Sequence, residues 1–345
     1  MRLTVAGLWL AAIGMPAAAQ PLPATPLFSD NSVLPMTLSG PFSDLIRNAP
    51  RDNRPLNGTL TIGGAQAVPV RLSARGITRR RHDICAFPPL RVDLGAAAPA
   101  GSLLAGQRRL KLVTHCQGSK DFQRYLLLEY AAYRLYNVLT PASFRVRLAS
   151  IAYTSESGKP IITRLGFFIE DSDDLADRIG LKEAKLPSRI AVGILRRPDA
   201  ARMAVFEYLI SNLDWAMNGG PPGEECCHNA RLFGAPGATR DIVPVPYDFD
   251  YSGLVDAPYA VAPKELRVSN VRQRRYHGYC SYNGEALVAA AEIRSKRAEL
   301  IAVIGQIPEL DAGSRRQAVN YLDGFFRAAA TDDDVGQNLL KDCVR

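Results

Sequence analysis

The residue types that most often carry chemistry are concentrated between Asn212 and Gly253. This stretch begins with Asn212-Leu213-Asp214-Trp215, continues through a Gly/Pro/Cys-rich turn to His228-Asn229, and ends in the run from Val243 to Gly253. Carboxylates, amides and an imidazole therefore lie next to apolar segments that can hold them in place. This grouping marks the stretch as the candidate site.

Asp248 and Asp250 are two residues apart in a segment that is predicted to be extended. Their side chains then point to the same side, where the two carboxylates repel each other unless a cation lies between them. Oxygen ligands of this kind predict an Mg²⁺ or Mn²⁺ site, to which Asn229 adds a neutral oxygen from the start of a predicted hairpin. The alternative is an acidic turn in which Asp250 only caps a backbone amide.

Phosphoryl transfer requires a cation near the phosphates, a bridging metal with oxygen ligands, and a carboxylate that accepts the proton of the acceptor. Asp214, which follows an apolar helix, is the candidate general base, although an Asp at this place also serves as a helix cap. Lys111, in a predicted strand, is the candidate cation, and Glu129, in the next helix, is its candidate partner. The alternative for this pair is an exposed lysine and a solvated glutamate.

The elements that must position these residues change in type along the chain. Residues 34–94 and 110–114 alternate short apolar runs with turns, residues 121–139 have helical periodicity, and a strand pair follows at 144–153 and 160–169. After Asp171 the pattern is mainly helical, at residues 173–179, 199–213, 285–304 and 312–328, with one hairpin at 230–233 and 242–245. The predicted fold class is α+β: a two-lobed atypical protein-kinase-like fold, with a β-rich N-lobe (36–170) that holds one helix and a mainly helical C-lobe (171–345) that carries the catalytic hairpin.

The first nineteen residues have the pattern of an export signal. Arg2 precedes an apolar run that is followed by small residues, which predicts cleavage after Ala19 and leaves residues 20–35 as an extended arm. No later run reaches the length of about 20 apolar residues that a transmembrane helix needs. The protein is therefore predicted to be periplasmic or secreted, and this location argues against nucleic acid as a partner despite the net charge of +8.

Six cysteines form an even set, as expected of disulfides in an oxidising compartment. Cys85 and Cys116 are predicted to pair within the β-rich part, and Cys226 or Cys227 to pair with Cys280 or Cys343. Zinc binding by Cys226-Cys227-His228 is a weaker alternative, because no further ligands at zinc-like spacing are present. The basic runs 79–81 and 272–275 are predicted to be solvated faces, the second also being a candidate contact for a phosphorylated substrate.

The runs 211–215, 228–232 and 245–253 together resemble the catalytic region of the spore-coat-protein-H-type kinases, with a pattern closest to uncharacterised exported bacterial relatives. The similarity extends upstream through residues 72–76, 110–113 and 128–130. What the resemblance implies is an atypical protein-kinase fold that binds ATP with Mg²⁺ or Mn²⁺. It implies these roles: Asp214 as catalytic carboxylate, Asn229 and Asp248 as metal ligands, Lys111 as phosphate-binding lysine with Glu129 as its partner, and Arg75 as a contact to the nucleotide phosphates.

Two departures from the family pattern accompany the resemblance. The insertion 216–227 lengthens the spacing between Asp214 and Asn229, so Asn218 competes with Asn229 as the metal ligand. The chain also lacks a G-x-G-x-x-G loop. The leading hypothesis is an exported phosphotransferase acting on a hydroxyl of a protein or small-molecule acceptor; the alternatives are a catalytically inactive envelope-binding module and a metal-dependent phosphoesterase.

Overall fold

The computed structural model describes residues 23–95, 98, 100–220 and 223–345. The predicted export signal and the first residues of the arm lie outside this part of the chain. None of the helices in the described part is long and apolar enough to cross a membrane.

Seven strands of the described chain form a closed barrel in the order β1-β2-β3-β4-β5-β7-β6. Neighbouring strands are antiparallel except β1 and β6, whose parallel pairing closes the barrel, with Leu34 opposite Ala149 and Ser39 opposite Thr154. The strands are β1 (Leu34–Ser39), β2 (Leu56–Ile62), β3 (Val68–Ala74), β4 (Leu90–Asp93), β5 (Arg109–Val113), β6 (Val146–Thr154) and β7 (Pro160–Ile169).

Alternation along the strands gives the barrel an apolar interior and a polar outer face. Leu72, Leu110 and Leu112 point inward and are fully buried, whereas Arg71 and Arg109, on the same strands, are exposed. Where the outer face meets the rest of the molecule, Phe167 and Ile169 of β7 are buried in a second core. The barrel wall therefore separates two apolar cores.

Eight α-helices are present in the described residues: α1 (Phe42–Asn48), α2 (Gln123–Leu139), α3 (Ser172–Arg178), α4 (Arg197–Ile210), α5 (Asn283–Ser295), α6 (Arg297–Gly305), α7 (Ala312–Ala328) and α8 (Asp332–Asn338). Residues of α2 and α4 lie in the central core between the barrel and the C-terminal helices. Both helices are apolar around most of their circumference, because each is covered on more than one side.

A small antiparallel sheet follows the barrel in the order β10-β9-β8, with β8 (Lys182–Glu183), β9 (Ala230–Gly234) and β10 (Val243–Pro246). In the β9–β10 hairpin, Ala230 lies opposite Pro246 and Phe233 opposite Val243. All four residues of β10 are buried, since α4 packs against this strand. The polar residues at the ends of the hairpin are thus positioned by the packing of β10 against α4.

The predicted fold class is wrong. The β-rich part is a closed seven-stranded barrel rather than the open sheet of a kinase-like N-lobe, and it contains two helices, α1 and α2, where one was expected. In the second part the predicted hairpin is present as β9 and β10, and the short strand β8 extends it to a three-stranded sheet. The cause is the parallel pairing of β1 with β6, a contact between segments more than a hundred residues apart that local sequence patterns do not reveal.

Three disulfides connect the six cysteines: Cys85–Cys116, Cys226–Cys227 and Cys280–Cys343. The predicted Cys85–Cys116 pair is confirmed. The predicted pairing of Cys226 or Cys227 with Cys280 or Cys343 is wrong, because the two adjacent cysteines are joined to each other. The same bond consumes both thiolates and so removes the zinc alternative.

Candidate active site

The β9–β10 hairpin places Asn229 beside the Tyr247-Asp248 segment. Asn229 immediately precedes β9 and Tyr247 immediately follows β10, and the Tyr247 amide donates a hydrogen bond to the Asn229 carbonyl at 3.1 Å. Asn229 and Asp248 both have a positive φ, 49° and 65°, which is uncommon for residues other than glycine. Backbone strain of this kind is concentrated at functional sites, so this end of the hairpin is a candidate functional site.

Asp214 reaches the same place from the end of α4. Ser211, in the left-handed region with a φ of 52°, ends the helix, and the Asn212 amide then donates to the Glu207 carbonyl at 2.8 Å. The Asn212 side chain accepts a hydrogen bond from the Asp214 amide at 3.2 Å, and the Asn212 carbonyl accepts one from the Trp215 indole at 3.1 Å. These short-range bonds fix the direction in which Asp214 leaves the helix.

The Asp214 carboxylate is held on both oxygens. The ring nitrogen Nε2 of His228 lies 2.8 Å from Oδ1, and the Asn229 amide group donates to Oδ2 at 3.1 Å and to the Asp214 carbonyl at 2.6 Å. The hydrogen bond to Asp214 raises the pKa of His228 above its ordinary value, against the opposing effect of burial. Because the Asn229 nitrogen is committed to Asp214, its carbonyl oxygen is the atom of that side chain suited to a cation.

Asn218, the competing amide, lies in the insertion rather than in this network. Its carbonyl accepts a hydrogen bond from the Ile190 amide at 3.0 Å, and the neighbouring Gly219 pairs with Arg189. The insertion is thus attached to the segment before α4. The structure brings Asn229, and not Asn218, into contact with Asp214.

A buried group of charges centred on Arg79 adjoins the hairpin end. Arg79, 8% exposed, lies on a single 3₁₀ turn (Thr78–Arg80), and its guanidinium donates to both oxygens of Glu129 at 2.9 and 3.3 Å. The same guanidinium lies 3.2 Å from one oxygen of Asp248 and 3.2 Å from one oxygen of Asp250. One positive charge is therefore surrounded by three carboxylates.

Two opposing effects, burial and the attraction between opposite charges, shift the pKa values in this group. Burial raises the pKa of Glu129 and of Asp250, and the charge of Arg79 acts against both increases. Burial alone lowers the pKa of Arg79, but attraction to Asp250 and Glu129 outweighs it and raises that pKa. The guanidinium thus stays charged and holds one oxygen of Asp248.

Lys111 does not contact Glu129. Its ammonium group lies over the rings of Phe144 and Tyr247, 5.6 and 5.8 Å from the two centroids. Burial, together with the positive charges of Arg75 and Arg231, lowers the pKa of Lys111 to about 8. The partner of Glu129 is Arg79, from a basic run that was predicted to be solvated; a glutamate within the apolar helix α2 is the signal that pointed to a buried cation.

Arg75 lies immediately after β3, where its amide donates to the Pro89 carbonyl at 2.9 Å. Its charge acts on both Lys111 and Glu129, so the side chain lies on the barrel side of the site. Gly76 follows with a φ of +81°, a turn that suits glycine, and leads the chain into the segment that carries Arg79. Two cations, Arg75 and Lys111, thus face the acidic hairpin end.

The donor set fits a hard cation only in part. Among the described residues there is no group of three His, Cys, Asp or Glu side chains arranged to hold a metal ion. The cation between Asp248 and Asp250 is the Arg79 guanidinium. The second oxygen of Asp248 and the amide oxygen of Asn229 remain, a pair that suits Mg²⁺, which often takes one or two protein oxygens together with phosphate and water.

Comparison with known proteins adds little to this geometry. No protein-family model and no curated protein matches the sequence. Among solved structures, the chain is similar to the Helicobacter pylori proinflammatory kinase CtkA, with 11% identity and a TM-score of 0.38 over 72% of this chain and 93% of that one. A likeness at this level assigns neither fold nor activity, and the resemblance to the spore-coat-protein-H-type kinases stays a prediction.

Proposed function

We propose that this protein is an exported phosphotransferase that transfers the terminal phosphoryl group of ATP, bound with Mg²⁺ or Mn²⁺, to a hydroxyl of a protein or small-molecule acceptor. The observation that carries the proposal is the convergence of Asp214, Asn229 and Asp248 at one end of the β9–β10 hairpin, opposite Lys111 and Arg75. Phosphoryl transfer needs these groups and little else from the protein. The disulfides support an oxidising, exported environment.

Asp214 is the proposed general base. As the acceptor oxygen attacks the phosphorus, its proton passes to the Asp214 carboxylate, and the bond from phosphorus to the ADP oxygen breaks with its electron pair leaving on ADP. His228 and Asn229 hold that carboxylate in one orientation through the bonds at 2.8 and 3.1 Å. His228 is therefore a positioning residue in this scheme.

The cations have separate roles in the proposal. Lys111 and Arg75 attract the phosphates of the donor, and Asn229 and Asp248 hold the metal, which neutralises charge on the phosphates when it is bound. Glu129 acts through Arg79, which holds one oxygen of Asp248 and leaves the other for the metal. Asp250 supports Arg79 from the other side.

One observation favours a second candidate, a binding module without activity. Arg79 occupies the space between Asp248 and Asp250 that a metal ion would take in the simplest two-carboxylate site. A site with its acidic pair neutralised by the protein itself retains its shape without ATP. In this candidate the hairpin end binds an envelope partner and transfers nothing.

Label transfer from ATP separates the two candidates. The full chain with oxidised disulfides is incubated with labelled ATP and Mg²⁺ or Mn²⁺ and with envelope proteins and small hydroxyl compounds as acceptors. Asp214→Asn is expected to lower the rate by about 10²–10⁴-fold, the usual contribution of a general base, with ATP binding retained. Asp248→Asn is expected to weaken metal-dependent ATP binding.

Asp83→Asn is the matched control, because it removes an exposed carboxylate that pairs only with Arg81. Failure of the wild-type protein to bind ATP in either metal, with all variants folded, contradicts the phosphotransferase and favours the binding module. Release of phosphate from esters without consumption of ATP points instead to a phosphoesterase.

A further inference from the structure

A pocket on the outer face of the barrel is lined by four arginines. It has a volume of about 240 Å³, and the four are Arg71, Arg75, Arg80 and Arg91. Ser73 and Asp93 also line it. The nucleotide and metal roles proposed above use only Arg75 of this set.

The strand register brings these side chains together. Arg71, Ser73 and Arg75 alternate along β3 and its end, so all three point to the outer face, and Ser73 lies opposite Arg91 on β4. Arg80 enters from the 3₁₀ turn, on which the preceding Arg79 points inward. The fold thus concentrates positive charge at one point rather than spreading it over the barrel.

These arginines lack a close carboxylate partner among the described residues, although Asp93 lies opposite Arg71 in the register of β3 and β4. None of the four is within ion-pair distance of an Asp or Glu, and the bonds that they make go to main-chain carbonyls: Arg80 to Ala49 at 2.6 Å and Arg71 to Pro55 at 3.4 Å. Asp93, the acidic residue of the lining, accepts a hydrogen bond from the Gly95 amide at 2.9 Å. The contrast with Arg79, which has three carboxylate partners, is direct.

Like charges held close together repel, and an anion placed between them removes that repulsion. Arginine donors in a fork geometry suit the oxygens of phosphate and sulfate, and the Ser73 hydroxyl adds another donor. The segment 75–80 has this pocket on one side and the Arg79 group on the other. The pocket lining and the Arg79 group therefore share one short segment of the chain.

We propose that the arginine pocket binds a phosphate or sulfate group of the acceptor, so that the substrate class of this enzyme is anionic. The assignment of the ligand to the acceptor rests on the proposed phosphotransferase activity, whereas anion binding by the pocket does not. The pocket orients the acceptor from the barrel side, and Asp214 meets its hydroxyl from the hairpin side.

Calorimetric titration with inorganic pyrophosphate, at low salt and without metal, tests the pocket directly. Arg91→Gln is expected to weaken binding about tenfold, the usual effect of losing one charge-assisted contact. Arg316→Gln is the matched control, since it removes one exposed arginine of α7 that has no ion pair among the described residues and lies away from the pocket lining. It is expected to bind as the wild type does.

Unchanged pyrophosphate affinity of Arg91→Gln overturns the proposal. If Lys111→Gln loses affinity and Arg91→Gln does not, the anion binds at the donor site instead, and the proposal is also overturned. Competition by sulfate supports a pocket for either tetrahedral anion, and its absence supports one for phosphate. Asp214→Asn is expected to bind pyrophosphate as the wild type does, because Asp214 does not line the pocket. If the wild-type protein binds pyrophosphate through Arg91 but transfers no label from ATP, the anion pocket is retained and the phosphotransferase proposal is lost.

Discussion

Arg79 is the residue on which the acidic side of the site depends. Arg79→Gln leaves Glu129 and Asp250 buried, at 2% and 5% exposure, without their cation. Removal of one partner from a buried charged group costs about 3–5 kcal/mol of unfolding free energy, which urea unfolding at pH 7 measures. The loss is expected to be smaller at pH 5, because carboxylates that have lost their cation take up protons in the folded state.

Arg81→Gln is the neighbouring control for this prediction. Arg81 is exposed and pairs with an exposed carboxylate, Asp83, so its loss is expected to change the unfolding free energy by less than about 1 kcal/mol. Equal effects of the two substitutions contradict the central position assigned to Arg79.

The charge of Lys111 is expected to make ATP binding depend on pH. Burial lowers its pKa to about 8, so the ammonium is charged below that pH and becomes neutral as the pH rises through it. ATP affinity, measured by titration from pH 6.5 to 9, is therefore expected to fall above pH 8. Lys111→Arg keeps its charge across this range and is expected to remove the decline. A decline that persists in Lys111→Arg assigns the titration to another group.

Sequence patterns located some of these residues but not their partners. Asn229 was predicted to lie beside Asp248 because a hairpin joins the ends of its strands, and the hydrogen bond from the Tyr247 amide to the Asn229 carbonyl places it next to that segment. The partner of Glu129 was predicted to be Lys111, because that lysine lies in the strand before the helix of Glu129 and the resemblance implies this pair. Arg79 was missed because a run of three arginines does not reveal which one is buried.

At the scale of elements, periodicity was a good guide where one face of a segment is buried. The helix predicted at 312–328 and the strand predicted at 160–169 are present with these bounds as α7 and β7. The helix predicted at 285–304 is instead two helices, α5 and α6, which break at Lys296, where the backbone leaves the helical region. α1, a short helix of seven residues, has too few turns to produce a periodic pattern.

Close packing of β7 against its neighbours depends on Gly166. A Cβ atom at this position would lie 2.8 Å from the Val113 carbonyl oxygen and 2.8 Å from a methyl carbon of Ile151. Gly166→Ala is therefore expected to lower the unfolding free energy by about 1–3 kcal/mol, the usual cost of overpacking, in urea unfolding. Gly118→Ala has open space around its added methyl and serves as the control. A neutral effect of Gly166→Ala implies that β7 shifts easily.

At the scale of the whole molecule, closure of the barrel is the feature that sequence patterns do not determine. Alternating residues predicted most of the strands, but the same alternation is compatible with an open sheet and with a barrel. The barrel closes because β1 (Leu34–Ser39) pairs in parallel with β6 (Val146–Thr154). The helix α2, between β5 and β6, supplies the long connection that places β6 at that edge.

The Cys280–Cys343 disulfide attaches the C-terminal end of the chain to the helical body across a separation of 63 residues. Replacement of both cysteines by serine is expected to lower the unfolding free energy by about 2–4 kcal/mol, because the unfolded chain regains the entropy of a long loop. The parallel bridge from Tyr279 to Val344 is expected to open when this disulfide is removed, which hydrogen exchange at the Val344 amide measures.

The double replacement of Cys226 and Cys227 by serine is the matched control. A bond between adjacent residues closes no long loop, so its loss is expected to lower the unfolding free energy by less than about 1 kcal/mol. If removal of the Cys226–Cys227 bond lowers the unfolding free energy more than removal of Cys280–Cys343, the prediction is contradicted. The insertion beside Asp214 then contributes more to stability than the attachment of Cys343.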